Sequence, residues 1–187
     1  KPFENMTQVQ RDSVTKQLQK AGRTNEEFHP NSDLYLKFLV KELKPFIDRT
    51  FSTNKDKNNT FIAGSSMGGL ISMYAMCEYP KVFGGAACLS THWPGTFAVE
   101  SNPVPDAFLT YLKSKLSKIK KNKIYFDCGD QTLDAMYPPL QQKVDVVMKE
   151  NGFTEVNWMT RFFPGANHSE IAWAARLDVP LVFLLGR

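Results

Sequence analysis

The segment with the most specific chemistry in this 187-residue sequence is Gly64-Ser65-Ser66-Met67-Gly68-Gly69. It fits the pattern G-x-S-x-G and lies between a predicted strand and a predicted helix. A serine in a tight strand-to-helix turn needs strained backbone angles, and its neighbours must be small because strand and helix approach closely there. Such a turn exposes Ser66 Oγ above the sheet edge. It also aims the backbone N–H of Met67, at the helix N-terminus, towards charge developing on an attacked carbonyl oxygen. The pattern alone is moderately specific, because a Ser/Gly loop before a helix can also cradle phosphate or merely turn the chain. Neither G-x-x-x-x-G-K-[ST] nor G-x-G-x-x-G occurs, which disfavours the phosphate reading.

Order along the chain strengthens the nucleophile reading. An acidic turn, Asp127-Cys128-Gly129-Asp130-Gln131-Thr132-Leu133-Asp134, follows a predicted strand, and Phe163-Pro164-Gly165-Ala166-Asn167-His168-Ser169-Glu170 follows another. Nucleophile, then acid, then histidine is the order of α/β-hydrolase triads. All three motifs fall at the carboxyl ends of strands, where catalytic groups of parallel sheets gather. His168 is the expected base. For the acid, Asp134 is favoured over Asp130 because it lies further along the turn with more room to reach His168. Asp127, inside the strand or at its end, points towards a helix layer, and N-capping is the plain role for Asp134. His92 precedes the acid and is out of order for the base. With Trp93 on the same loop, and Trp173 beyond the histidine, it is expected to wall a substrate pocket. His29, in the polar arm, reads as a surface residue.

The elements that must position these residues can be read from pattern. Residues 1–31 are polar and read as an irregular arm with at most one helix, near Val9 to Ala21. Ser32 is the expected N-cap of a helix that presents Leu34, Phe38, Leu39, Leu43, Phe46 and Ile47 on one face and is ended or kinked by Pro45. Strands are expected at Thr60–Ala63, Phe83–Leu89, Lys123–Cys128 and Val156–Phe163. Helices are expected at Met67–Tyr79, Asp106 to about Ile119, and Ala135–Glu150, with a last helical segment from Ser169 and a buried apolar segment at Val179–Leu185. Strands alternating with helices of this length make a parallel sheet flanked by helices, an α/β architecture.

Composition narrows the function classes. Hydrophobic residues at 42% and charged residues at 22% fit a single globular domain. No apolar run approaches the ~18 residues of a membrane span, so no membrane role is expected. The lysines at 113, 115, 118, 120, 121 and 123 lack interleaved Arg and aromatic residues and read as a solvated helix face, not a nucleic-acid surface. Three cysteines without C-x-x-C spacing, two of them in strand-like runs, argue against a zinc site or a disulfide framework. No metal or cofactor is expected. The compartment is not encoded in these residues.

The runs Phe61 to Gly69, Asp127 to Asp130 with Leu133-Asp134, and Gly165 to Glu170 with Ala172-Trp173 resemble the "Putative esterase" family of α/β-hydrolases. That group includes esterase D, enterochelin-type esterases, feruloyl and acetyl-xylan esterases and the mycolyltransferases. The resemblance runs from about residue 32 to the end, the C-terminal part of such a catalytic domain. It implies metal-free ester hydrolysis through an acyl-enzyme, with Ser66 as nucleophile, His168 as base, Asp134 or Asp130 as acid, and Met67 N–H in the oxyanion site. It also implies several strands ahead of the nucleophile strand, with a loop supplying a second oxyanion N–H, and this chain has an arm and a helix there instead. A missing N-terminal half or a second chain is therefore expected to complete the sheet. The expected substrate is a small-molecule ester, an acylated carbohydrate or an aryl ester. The alternatives are a non-catalytic binding module with a hydrolase fold, or an acyltransferase.

Overall fold

Four short strands, each followed by a helix, make the frame of the computed structural model, which describes residues 7–20, 31–96 and 101–186. Helix α1 (Gln8–Lys20) and helix α2 (Ser32–Phe38) come first; α2 passes through a π-helical stretch, Leu39–Leu43, into α3 (Lys44–Thr50). Then follow β1 (Phe61–Ser65), α4 (Met67–Glu78), β2 (Gly85–Leu89), α5 (Val104–Ile119), β3 (Lys123–Cys128), α6 (Pro138–Glu150) and β4 (Trp158–Phe162). Two short helices, α7 (Glu170–Ala174) and α8 (Asp178–Leu185), end the described chain. His29 lies outside the described residues.

The sheet order is β1-β2-β3-β4, and every pair is parallel. The two faces divide by strand period. Ile62, Ala86, Cys88, Ile124 and Phe126 pack with Met73 of α4, Leu112 and Leu116 of α5, and Val144 and Met148 of α6. Ala87, Leu89 and Tyr125 pack on the other face with Leu184 of α8 and Trp173. Each fully buried Leu or Met side chain contributes roughly 1.5–3 kcal/mol over an exposed one. The small residues of β2 are needed where α8 lies against the sheet. A Cβ on Gly85 would sit 2.8 Å from both Leu184 Cδ2 and Lys123 O.

Departures from pattern cluster at the two ends. Helix α2 starts one residue earlier than the Ser32 cap predicts: its N-cap is Asn31, which makes no side-chain cap bond. The expected apolar face is largely solvent-facing, with Leu34, Phe38, Leu43 and Phe46 exposed, while Leu36 and Val40 are buried. The segment carries two apolar stripes, and Tyr74, which donates its hydroxyl hydrogen to Asp33, fixes which one turns towards α4. Pro45 does not end the helix. It stands near the start of α3, directly after the π-helical stretch that absorbs its missing N–H. Val179–Leu185 belongs to α8 and is only half buried, since Leu181, Val182 and Leu185 are exposed. Lys123, at the start of β3, donates to the C-terminal carbonyls of α8 at Phe183 and Gly186, a favourable place for a cation.

Candidate active site

Ser66 is the single residue between β1 and α4, with φ 58° and ψ −120°. That is strained ground for a residue with a Cβ, and backbone hydrogen bonds on both its N–H and its C=O hold it. Ser66 N–H donates to Leu89 O at 2.9 Å, and Ser66 O accepts from Gly69 N at 3.0 Å and His92 N at 3.2 Å. Glycine is required at 64, where a Cβ would sit 2.5 Å from Gly68 O, and the site at Gly69 is tight against Thr91 Oγ1 at 2.8 Å. Gly68 itself has open space where a Cβ would go. Its backbone, not its missing side chain, is what crowds Gly64. Met67, first residue of α4, has no intrahelical acceptor for its N–H, which lies next to Ser66 at the positive end of the helix dipole.

The histidine loop meets the turn from the far side of the sheet. His168 Nε2 lies 2.9 Å from Ser66 Oγ, and His168 Nδ1 lies 2.6 Å from Asp134 Oδ1. A carboxylate accepts, so the proton on that axis sits on Nδ1 and the Nε2 lone pair faces Ser66 Oγ. Backbone donors clamp the acid loop to the histidine loop. Asp130 N and Gln131 N donate to Ala166 O, and His168 N donates to Thr132 Oγ1. Asp130 serves the loop, not the imidazole: its Oδ1 accepts from Gly165 N at 2.8 Å and Gln131 Nε2 at 2.9 Å. The carboxylate facing His168 is that of Asp134, wholly buried and also accepting from Ser90 Oγ at 2.6 Å and Gly129 N at 2.7 Å.

Of the residues expected to wall a pocket, Trp173 stands edge-on to His168, ring centroids 4.9 Å apart. Trp93 does not reach the site. It is buried in the core against Phe126 and Phe108, and its Nε1 donates to Gln141 Oε1. His92 is buried beside the turn, its Nδ1 2.7 Å from Tyr137 Oη, and burial, then the charge of His168, push its pKa down to about 4. It therefore supports Ser66 through its backbone and stays neutral near pH 7. An open cleft of about 910 Å3 lies elsewhere, along α6 and β4, and Ser66, Asp134 and His168 are not among its lining residues.

Sequence pattern missed four participants. Tyr137 packs its ring against His168 at a centroid separation of 5.5 Å, and Thr132 anchors the histidine loop. Ser90 and Arg176 join a buried cluster with Asp127: Arg176 Nη2 and Nε donate to Asp127, as do Ser90 N and Tyr125 Oη. Burial pushes the Asp127 carboxyl above its usual pKa, with Arg176 pulling the other way. The position of Ser90, directly after β2 at the same sheet edge as Ser66, was the one usable signal. Among the described residues no group of three or more His, Cys, Asp or Glu could hold a metal ion, and no helix is long and apolar enough to cross a membrane.

The profile of the family described as "Putative esterase" matches residues 5–184. The chain is similar to an endo-1,4-beta-xylanase/feruloyl esterase of Xylanibacter ruminicola, 38% identical over 155 residues, which cover 83% of this chain and 17% of that protein. It is similar to the carboxylesterase SOBER1 of Arabidopsis thaliana, 28% identical over 130 residues, covering 70% and 50% respectively. Among solved structures it resembles the enterobactin esterase FES from Shigella flexneri, with TM-score 0.66, 21% identity, and coverage of 82% of this chain and 38% of that one. Likeness at that identity shows the fold, which is the α/β-hydrolase fold. The chain spans 60% or less of the length of the curated relatives it matches.

Proposed function

Because the chain belongs to the "Putative esterase" family, we propose that it is a serine carboxylic-ester hydrolase working through an acyl-enzyme. Ser66 is the nucleophile, His168 the general base and Asp134 the acid that orients it. The observation that carries this reading is the hydrogen-bonded line from Asp134 Oδ1 through both His168 nitrogens to Ser66 Oγ, at 2.6 and 2.9 Å.

In this mechanism His168 Nε2 takes the Ser66 proton as Oγ attacks the ester carbonyl carbon. The carbonyl oxygen becomes an oxyanion, and Met67 N–H donates to it with the N-terminal dipole of α4 behind. The carbon–oxygen bond to the alcohol breaks, and His168 returns the proton to that alcohol. Water, deprotonated by His168, then attacks the acyl-Ser66 ester; the bond from the acyl carbon to Oγ breaks, His168 gives the proton to Ser66 Oγ, and the acid is released. Asp134 holds the Nδ1–H tautomer throughout.

We assign the second oxyanion donor to a second chain or a missing N-terminal half that would pair with the open edge of β1. Support for this comes from β1, which has a strand on one side only among the described residues, and from the chain's short span relative to its relatives. The ester favoured here is an aryl or carbohydrate-borne one. Its support is the aromatic edge of Trp173 at His168 and the feruloyl esterase named among the relatives.

Labelling with a fluorophosphonate, read by intact mass, tests the nucleophile. One adduct on the wild-type chain and none on Ser66→Ala is the expected result, followed by hydrolysis of aryl esters in a panel. No adduct on this chain, or on a longer native form that contains it, overturns the hydrolase reading.

A further inference from the structure

The hydroxyl of Ser90 sits where three elements meet: the end of β2, the acid turn after β3, and the joint between α7 and α8. Three of its neighbours determine what it can do. Trp173 Nε1 donates to Ser90 Oγ at 3.0 Å, and Arg176 Nη2 donates to the same oxygen at 2.9 Å. Indole and guanidinium are donors only, and a serine hydroxyl has two acceptor lone pairs and one hydrogen. Both acceptor positions are thus taken by groups that cannot reverse the bond. The one hydrogen must go to the remaining partner, Asp134 Oδ2, at 2.6 Å. No rotation of the hydroxyl gives a second arrangement that satisfies all three.

The scaffold behind Ser90 is equally constrained. Ser90 takes a positive φ of 39°, and its N–H is held by Asp127 Oδ1 at 3.0 Å. Asp127 is locked in turn by the two donors from Arg176 and by Tyr125 Oη. Arg176 lies over the Phe163 ring, 4.8 Å from its centroid, at the base of the histidine loop. Ser90, Asp127 and Asp134 are fully buried, and Arg176 nearly so.

Resting on the reading of Asp134 as the acid, we propose that Ser90 is a positioning residue. Its hydroxyl, polarised in one direction by Arg176 and Trp173, pins Asp134 Oδ2 so that Oδ1 stays aligned on His168 Nδ1. Gly129 N–H, at 2.7 Å, provides the second pin on the same oxygen. With one pin removed the carboxylate can turn about its Cβ–Cγ bond and leave the imidazole free to change tautomer.

Two variants and two readouts test this. Ser90→Ala removes the hydroxyl, and Ser90→Gly removes it while freeing the positive-φ backbone, so a loss common to both belongs to the hydroxyl and not to strain. The first readout is the rate of fluorophosphonate labelling at Ser66. The second is the far-downfield proton NMR resonance of His168 Nδ1–H, which needs no substrate and no catalysis. Both variants are expected to label about ten- to a hundredfold more slowly, the range carried by a hydrogen bond to a charged group, and to lose that resonance to exchange with water. Labelling within twofold of wild type together with an unchanged resonance overturns the proposal and leaves the esterase reading standing. If neither the wild-type chain nor a longer native form that contains it labels, the esterase reading fails, and the resonance alone decides the role of Ser90.

Discussion

Replacing Asp134 and Asp130 separately by alanine tests the site where sequence left a choice. Asp134 is fully buried and accepts three hydrogen bonds, from His168 at 2.6 Å, Ser90 at 2.6 Å and Gly129 at 2.7 Å. In Asp134→Ala the Nδ1–H of His168 loses its acceptor, the tautomer is no longer fixed, and the imidazolium formed during attack has no counter-charge. The acylation rate should fall by about 10^3- to 10^4-fold. Ser90 and Gly129 are left donating into a cavity, so the fold should lose about 2–4 kcal/mol, less than the sum of three separate bonds because the vacated site can admit water. Asp130 binds Gly165 N at a solvent-exposed position. Water can replace that bond, so Asp130→Ala should cost at most about tenfold in rate and under about 1 kcal/mol. The assay is the second-order labelling rate with a fluorophosphonate, alongside a thermal melt that separates site damage from unfolding. A larger loss in Asp130→Ala than in Asp134→Ala, or an Asp134→Ala rate within tenfold of wild type, refutes the reasoning.

Three further outcomes are expected. Gly64→Ala should fail to label and melt earlier, because its Cβ would lie 2.5 Å from Gly68 O, whereas Gly68→Ala, with open space at its Cβ, should label normally and melt no lower. A Gly64→Ala chain with wild-type melting would contradict this. His92 protonates near pH 6.5 in the unfolded chain but only near pH 4 when folded. Stability it contributes is therefore complete above pH 6.5 and lost as the pH falls to about 4, by at most about 3 kcal/mol. Urea melts of His92→Gln should show a shallower decline over that window, and an identical slope would count against it. The thiols of Cys77, Cys88 and Cys128 are all buried with pKa values pushed up by burial, to about 12 for Cys77 and Cys128. Iodoacetamide at pH 8 should modify none in the native chain and all three in denaturant, and fast native alkylation of any one would be the contrary result.

What sequence made legible was periodic or sequential. β2 and β3 fall within the apolar runs between breakers that predicted them, because both are buried almost throughout, while β1 continues two residues beyond the expected Thr60–Ala63, to Ser65. The turn at Ser66 could be read because its constraint is local: a Cβ at Gly64 would strike Gly68, four residues away. Asp134 could be preferred over Asp130 from loop length; in the structure Asp134 Oδ1 lies against His168 Nδ1, and Asp130 Oδ1 accepts from Gly165 N. The face of α2 could not be chosen in the same way. Leu34 and Phe38 repeat at helical spacing as well as Leu36 and Val40 do, and only the packing against α4 and the Tyr74 bond to Asp33 decide between them. Trp93 misled for a related reason. A tryptophan after a strand end can face the site or the core, and Gln141, 48 residues on, supplies the acceptor that keeps it in the core.

The residues that sequence could not reveal share one property, which is that their function lies in a direction and not in a type. Asp127 is the clearest case. Read as an acid near the nucleophile, it competes with Asp134 for the catalytic position, and its burial alone would make it look poised for chemistry. Its register in β3, opposite Leu89 of β2, instead turns its carboxylate away from His168 and towards Arg176, which arrives from beyond α7. The ion pair then fixes Ser90 by its N–H and, through Arg176 Nη2, by its hydroxyl. Removing Arg176 alone would leave an unpaired buried carboxylate, a change that typically costs about 3–5 kcal/mol. The buried pair is thus weak evidence for stability and strong evidence for orientation: two carboxylates seven residues apart are kept to different tasks because one has a cation and the other has a histidine.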